Sequence, residues 1–184
     1  KSGLSSMSER VPVFAFLGCT NFSKTLLLHL IENHYIPSAI FTIPEEFNIS
    51  YSNDKVKTAN FANLRGIAKE NSIPIFEVES KAGMRLEDYQ EVISEIGVEL
   101  MLVLGWYYMI PRSVREPLTY GAWGIHASLL PKYAGGAPLG WAIIKGETET
   151  GVTLFRMDDG VDDGDIIAQR SFEIDFNDTI KDVY

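Results

Sequence analysis

The sequence predicts an α/β protein built on a mostly parallel sheet flanked by helices, and two observations carry that expectation. Val11 to Gly18 is continuously apolar and rich in strand formers, as a strand buried on both faces should be. Similar short runs at Ala39–Ile43, Pro74–Val78 and Leu100–Leu104 alternate with stretches of helical period. Strands that alternate with helices argue for parallel pairing, with ligands at the carboxyl ends of the strands.

Each element can be justified in order. After the first strand, Gly18-Cys19-Thr20-Asn21 reads as a turn into a helix that buries Phe22, Leu26, Leu27, Leu30 and Ile31. No Gly-x-Gly-x-x-Gly is present, so a dinucleotide fingerprint is rejected. Ala39–Ile43 is the second strand. Pro44 to Asn60 has no clear period and reads as a long loop. Phe61–Asn71 is expected to be a helix with Leu64, Ile67 and Ala68 inward, and Pro74–Val78 a strand. Leu86–Ile96 places Leu86, Tyr89, Ile93 and Ile96 on one helical face, and Gly97 ends it. Leu100–Leu104 is a buried strand, which puts the loop Gly105–Pro111 at a strand end. Trp123–His126 is the next strand, Ala137–Ile144 a helix, and Val152–Met157 with Ile166–Phe172 a β-pair around an acidic turn. Asp178–Tyr184 begins a helix.

The chain has 184 residues, 46% apolar and 22% charged, with a net charge of -9, and reads as one domain with no repeat or linker. Residues 1–10 read as a tail outside the domain, with Met7 as the native start and Lys1 to Ser6 left over from expression. The stop at Tyr184 reads as the loss of a C-terminal region. No basic face of the kind a nucleic-acid binder needs is visible. A single cysteine, Cys19, excludes an internal disulfide and fits a reducing cytoplasm. The three histidines and the cysteine have no metal-ligand spacing, and His29 and His34 read as structural. The longest apolar run, Met101–Ile110, is about half of what a bilayer span needs. Val11–Cys19 lacks a cleavage site and is better explained as a strand than as a signal segment.

The stretch with the most chemistry runs from Gly124 to Ile167. It holds His126 and then Asp158, Asp159, Asp162, Asp163 and Asp165 in a glycine-punctuated turn. A proton carrier of neutral pH and a carboxylate cluster are the parts of an acid–base site. The pattern admits equally a hydrogen-bonded core histidine and a solvated turn.

The same stretch resembles the folate-dependent formyltransferases. Three elements carry the resemblance: Gly124-Ile125-His126, Ser128-Leu129-Leu130-Pro131 and Gly160-Val161-Asp162-Asp163-Gly164. It extends from about Val11 to Tyr184 and implies a Rossmann-like formyltransferase fold and 10-formyltetrahydrofolate as the formyl donor. It implies His126 and Asp162 as catalytic residues, the first donating to an oxyanion and the second orienting the ring. It implies cofactor contacts from Trp106, Tyr107, Tyr108, Met109, Ile110, Ser128, Leu129, Leu130, Pro131, Asp158, Gly160 and Asp162. Read singly, Trp106, Tyr107 and Met109 fit core packing better.

Two departures from the family stand out. Gly124 replaces an asparagine that helps to hold the formyl oxygen, and the loss of one such donor typically costs ~100–1000-fold in turnover. A backbone N–H, a water or a tyrosine of the Tyr107-Tyr108 loop is expected to substitute. Tyr133-Ala134-Gly135 stands where Tyr-Arg-Gly is frequent.

The acceptor is expected to be a small-molecule amine, the amino group of a nucleotide-linked amino sugar. The segment Pro44 to Ser52 is acidic and has no lysine or arginine where tRNA-acting relatives carry a basic insertion. The alternatives are the catalytic domain of a methionyl-tRNA formyltransferase without its tRNA-binding domain, and a non-catalytic folate binder. The expected setting is the cytoplasm, without membrane or nucleic acid, and a homodimer stays open.

Overall fold

Every residue of β1 (Phe14–Leu17) is buried, which is why this stretch shows no polar alternation. The computed structural model describes residues 10–47, 56–58, 60–79 and 83–184. The chain leaves β1 through a tight turn into α1 (Asn21–Glu32). Thr20 caps that helix: its hydroxyl accepts the Ser23 N–H at 3.2 Å, and Ser23 Oγ accepts the Thr20 N–H at 3.1 Å. The same Ser23 hydroxyl donates to the Leu104 carbonyl at 2.5 Å, which ties the helix start to the end of a neighbouring strand. Gly105, at φ +74, leaves the space those hydroxyls need, since a Cβ there would lie 2.4 Å from Ser23 Oγ.

The remaining strands are β2 (Ala39–Thr42), β3 (Glu46–Phe47), β4 (Val56–Lys57), β5 (Ile75–Glu77), β6 (Leu100–Val103), β7 (Gly121–His126), β8 (Glu149–Arg156) and β9 (Ile166–Glu173). The main sheet runs β5-β2-β1-β6-β7-β8-β9. Pairing is parallel from β5 to β7, and β8 and β9 then add antiparallel. The sheet is therefore mostly parallel, as expected.

Helices cover both faces. On one side Leu17, Phe41, Met101 and Ala122 pack with Ile93 of α3 (Gln90–Ile96) and Val114 of α4 (Arg112–Arg115). On the other, Phe16 and Ile40 pack with Leu27 of α1 and with Ile67 and Ala68 of α2 (Arg65–Glu70). The chain ends through α5 (Pro138–Ile144) and α6 (Ile180–Val183).

Several boundaries differ from the sequence expectation. The helix expected from Phe61 starts only at Arg65, because the residues before it are committed elsewhere. Phe61 bridges Thr20, and the Ala62 N–H donates to the Cys19 carbonyl at 2.9 Å, so this segment covers the β1–α1 turn. The helix expected from Leu86 opens as a 3-10 turn (Leu86–Tyr89) before α3. The expected long loop holds a short antiparallel pair, β3 with β4, while residues 48–55 and 59 of it lie outside the described residues. α4 has no forerunner in the sequence reading. Gly97 ends α3 in the left-handed conformation, as its position predicts.

Candidate active site

His126 is the last residue of β7, so the sheet delivers it to the carboxyl end. Its Cα neighbour across the β7–β8 ladder is Thr153. Asp162 lies in the turn that joins β8 to β9. The fold brings the two together, with His126 Nδ1 3.2 Å from Asp162 Oδ2. Their side chains are 10% and 20% exposed, so the pair is largely shielded but reachable.

The other ring nitrogen is engaged too. Nε2 lies 2.8 Å from the Tyr133 carbonyl, and the Gly135 N–H donates to Asp162 Oδ2 at 2.9 Å. A carbonyl can only accept, so Nε2 carries a proton whenever that bond is made. Nδ1 faces the Asp162 carboxylate, which accepts a hydrogen bond from it whenever that nitrogen carries the proton. The loop after β7 thus closes over the pair and contributes one backbone acceptor and one backbone donor. Tyr133 (φ 56) and Asp162 (φ 52) both take the left-handed backbone region. The Tyr133 phenol donates to Glu147 at 2.6 Å, and that carboxylate pushes the phenol's pKa up.

Two residues the sequence reading missed hold the base of this loop. Thr153, fully buried on β8, donates to the Ser128 carbonyl at 2.6 Å and accepts the Leu130 N–H at 3.1 Å. Gln169 of β9 donates to the Leu130 carbonyl at 2.8 Å and to Thr153 Oγ1 at 2.9 Å. The only sequence signal for Thr153 is a hydroxyl at an inward position of an apolar strand. Gln169 has none, because its strand is exposed on both faces.

The expected cofactor residues divide. The loop Trp106 to Ile110 does follow β6 at its carboxyl end. Trp106 and Tyr108 meet edge to face at 5.9 Å and pack against Cys19 and Ile43, while Ile110 is buried. Tyr107 and Met109 point outward. The Trp106 indole N–H is buried without a hydrogen-bond partner among the described residues. Ser128 donates to the Lys132 carbonyl at 2.6 Å and Leu130 is buried, so these two visibly serve the local turn that also contains Leu129 and Pro131. Asp158 and Gly160 sit on the exposed β8–β9 turn. Asp158 and Asp159 pair with Arg115 of α4.

Gly124 lies two residues before His126 on the same strand face. A Cβ built there would meet Phe155 Cε1 at 3.3 Å and Met157 Cγ at 3.5 Å. The nearest atoms to that position are therefore apolar, from Phe155 and Met157.

Comparison with known proteins points to one family. Residues 11–184 match the family described as formyl transferase. A methionyl-tRNA formyltransferase from Caldanaerobacter subterraneus subsp. tengcongensis is 30% identical over 169 residues, which is 92% of this chain and 52% of that protein. The chain spans about half the length of the curated relatives it matches. Among solved structures, a phosphoribosylglycinamide formyltransferase from Streptococcus pneumoniae TIGR4 superposes with a TM-score of 0.72 at 20% identity. It covers 94% of this chain and 88% of its own, and at that identity the likeness speaks for the fold alone. A sugar 3N-formyl transferase, solved in the presence of dTDP and 5-N-formyl-THF, superposes with a TM-score of 0.63 at 26% identity. It covers 95% of this chain and 57% of its own. By the family match over almost its whole length, and with a histidine–aspartate pair at the carboxyl end of a mostly parallel sheet, this chain belongs to the formyl transferase family.

Proposed function

We propose that the chain is the catalytic unit of an N-formyltransferase that uses 10-formyltetrahydrofolate, with His126 and Asp162 as its catalytic residues. The observation that carries this reading is the 3.2 Å contact between His126 Nδ1 and Asp162 Oδ2, made between the end of β7 and the β8–β9 turn in the fold of a family member. The donor, when bound, supplies an activated formyl carbon. The Trp106–Ile110 loop and the Asp158–Gly164 turn would hold it. The indole N–H of Trp106, without a partner among the described residues and set in an aromatic loop, fits a flat ligand with a polar rim.

The chain's own groups then have definite tasks. Asp162 accepts from Nδ1 and fixes the ring, which leaves Nε2–H as the donor to the oxygen that gains charge. The Tyr133 carbonyl occupies that acceptor position now, so the formyl oxygen takes its place and the loop gives way. Asp162 is also the group placed to take the proton that the acceptor nitrogen must shed. With no amide at Gly124, His126 bears more of the oxyanion stabilisation alone.

For the acceptor, the reading with more support is methionyl-tRNA. It rests on relatives of that name at 30% identity or above that match about nine-tenths of this chain. The nucleotide-linked amino sugar expected from sequence remains the second reading. It is favoured by the net charge of -9 and by the acidic segment after Pro44, of which residues 48–52 lie outside the described residues. A phosphate-rich RNA acceptor would call for basic contacts from elsewhere in the protein. Among the described residues no helix is long and apolar enough to cross a membrane. A cytoplasmic setting belongs to the same proposal, and the single cysteine fits a reducing compartment. Incubation with 10-formyltetrahydrofolate and, separately, methionyl-tRNA or a set of nucleotide amino sugars, read by mass, decides between them. Formyl methionyl-tRNA is the expected product, and absence of any formylated amine would leave only the folate-binding alternative.

A further inference from the structure

The turn that carries Asp162 has little beneath it. Its two ends are fixed by backbone bonds, Met157 N–H to the Ala122 carbonyl and Arg156 N–H to the Asp165 carbonyl, both 2.8 Å. Between those ends Val161 is 64% exposed, and no residue of the turn joins a buried apolar cluster. Two clefts undercut it, of about 200 and 270 Å³, and Arg115, Arg156, Met157 and Asp158 line both. Asp162 itself holds a left-handed backbone, which an L-residue keeps only when its surroundings enforce it.

We propose that Arg115 is a positioning residue, an ionic strut from α4 that holds the Asp158–Gly164 turn and thereby keeps Asp162 against His126. Its Nη2 meets Asp159 Oδ1 and its Nη1 lies 3.5 Å from Asp158 Oδ1. The Arg115 side chain is 11% exposed, against 65% for Arg112, which also reaches Asp159 but is shared with Glu116. Arg115 Nε is buried without a hydrogen-bond partner among the described residues, so the direct contacts of the guanidinium to Asp158 and Asp159 carry much of its compensation. The base of the strut is rigid, because α4 is seated by buried Ile110, Val114 and Leu118. A line of contacts therefore runs from the core through α4 and Arg115 to the turn, and from the turn to the catalytic pair. Neither Arg115 nor its aspartate partners touch His126, so the effect is one of placement.

The catalytic part of this proposal rests on the formyl-transfer reading, and its test separates the two. Arg115→Met keeps the stem and removes the charge, Arg115→Lys keeps the charge, and Arg112→Met is the exposed control. Amide hydrogen exchange across residues 156–165 and at Gly135 is measured in each full chain, beside kcat and KM for transfer from 10-formyltetrahydrofolate to methionyl-tRNA and to nucleotide amino sugars. Expected for Arg115→Met are exchange in the turn and at Gly135 at least tenfold faster, and a kcat at least tenfold lower with a smaller change in KM. Arg115→Lys should recover most of both, and Arg112→Met should stay within about threefold of wild type on both. Should Arg115→Met fail to fold, the Asp158→Asn/Asp159→Asn pair removes the same strut from its other end. Unchanged exchange in the turn overturns the proposal, as does faster exchange with undiminished kcat in a transferring enzyme. If the wild type transfers no formyl group to either acceptor class, the transfer reading fails, and exchange still decides whether Arg115 holds the turn.

Discussion

At Gly124 the strand passes so close to Phe155 and Met157 that a single added carbon sits at 3.3 Å from the Phe155 ring. Phe155 is itself buried and cannot retreat cheaply. Gly124→Asn should therefore act as overpacking, costing ~1–3 kcal/mol in urea unfolding, and should not raise turnover. A stable Asn variant with faster transfer would mean that the space is open. The glycine was visible in the sequence as a departure, but what fills the space was not, since Phe155 arrives from another strand. Cys19 makes a second residue-level test. Burial pushes its thiol up to about 12, so almost no thiolate exists near neutral pH. A thiol reagent at about pH 8, near the ordinary cysteine range, should label Cys19 only when the chain unfolds. Rapid labelling of the folded protein would place Cys19 in an exposed setting instead.

Among the elements, strands were the most legible. Runs such as Phe14–Leu17 and Leu100–Val103 are apolar because both faces are covered, and that leaves a direct mark in the sequence. α2 was read too long because the helical period of Phe61–Asn71 says nothing of the contacts that bind Phe61 and Ala62 to the β1–α1 turn. α4 was missed because four residues are too few for a period to show. How β1 is anchored to the start of β6 leads to a pH test. Glu99 accepts the Val13 N–H at 2.8 Å and pairs with Arg10, and these two contacts, in that order, lower its pKa. With the folded value below the unfolded one, the carboxylate contributes stability above the unfolded pKa. That contribution is lost as pH falls through the folded value. Glu99→Gln should be less stable than wild type at neutral pH, and the gap should close in acid below about 4.3, the ordinary glutamate value. A gap that stays constant from neutral pH into acid would contradict this.

Across the whole molecule the sheet runs from a sealed centre to an open edge. β1 and β2 are wholly buried, whereas β9 is exposed at nearly every residue. Amide exchange should be slowest in β1, β2 and β6 and much faster along β9. Equal protection in β9 and β1 would show that something covers the edge strand in solution. The site sits between these regimes, and that explains how much of it could be read. His126 and Asp162 were legible from residue type and resemblance, while their partners were not. Tyr133 and Gly135 act through backbone atoms, which any residue could supply. Thr153 and Gln169 come from strands that sequence order does not place near the loop after β7, and Arg115 comes from a helix remote in sequence from the β8–β9 turn. The most direct test of the proposed catalytic pair is the rate of formyl transfer in wild type, His126→Ala, Asp162→Asn and the double variant. If the two residues act as one unit, each single change removes most of kcat and the double is little slower than the worse single. Losses that simply multiply, or a His126→Ala protein with near-normal kcat, would contradict it.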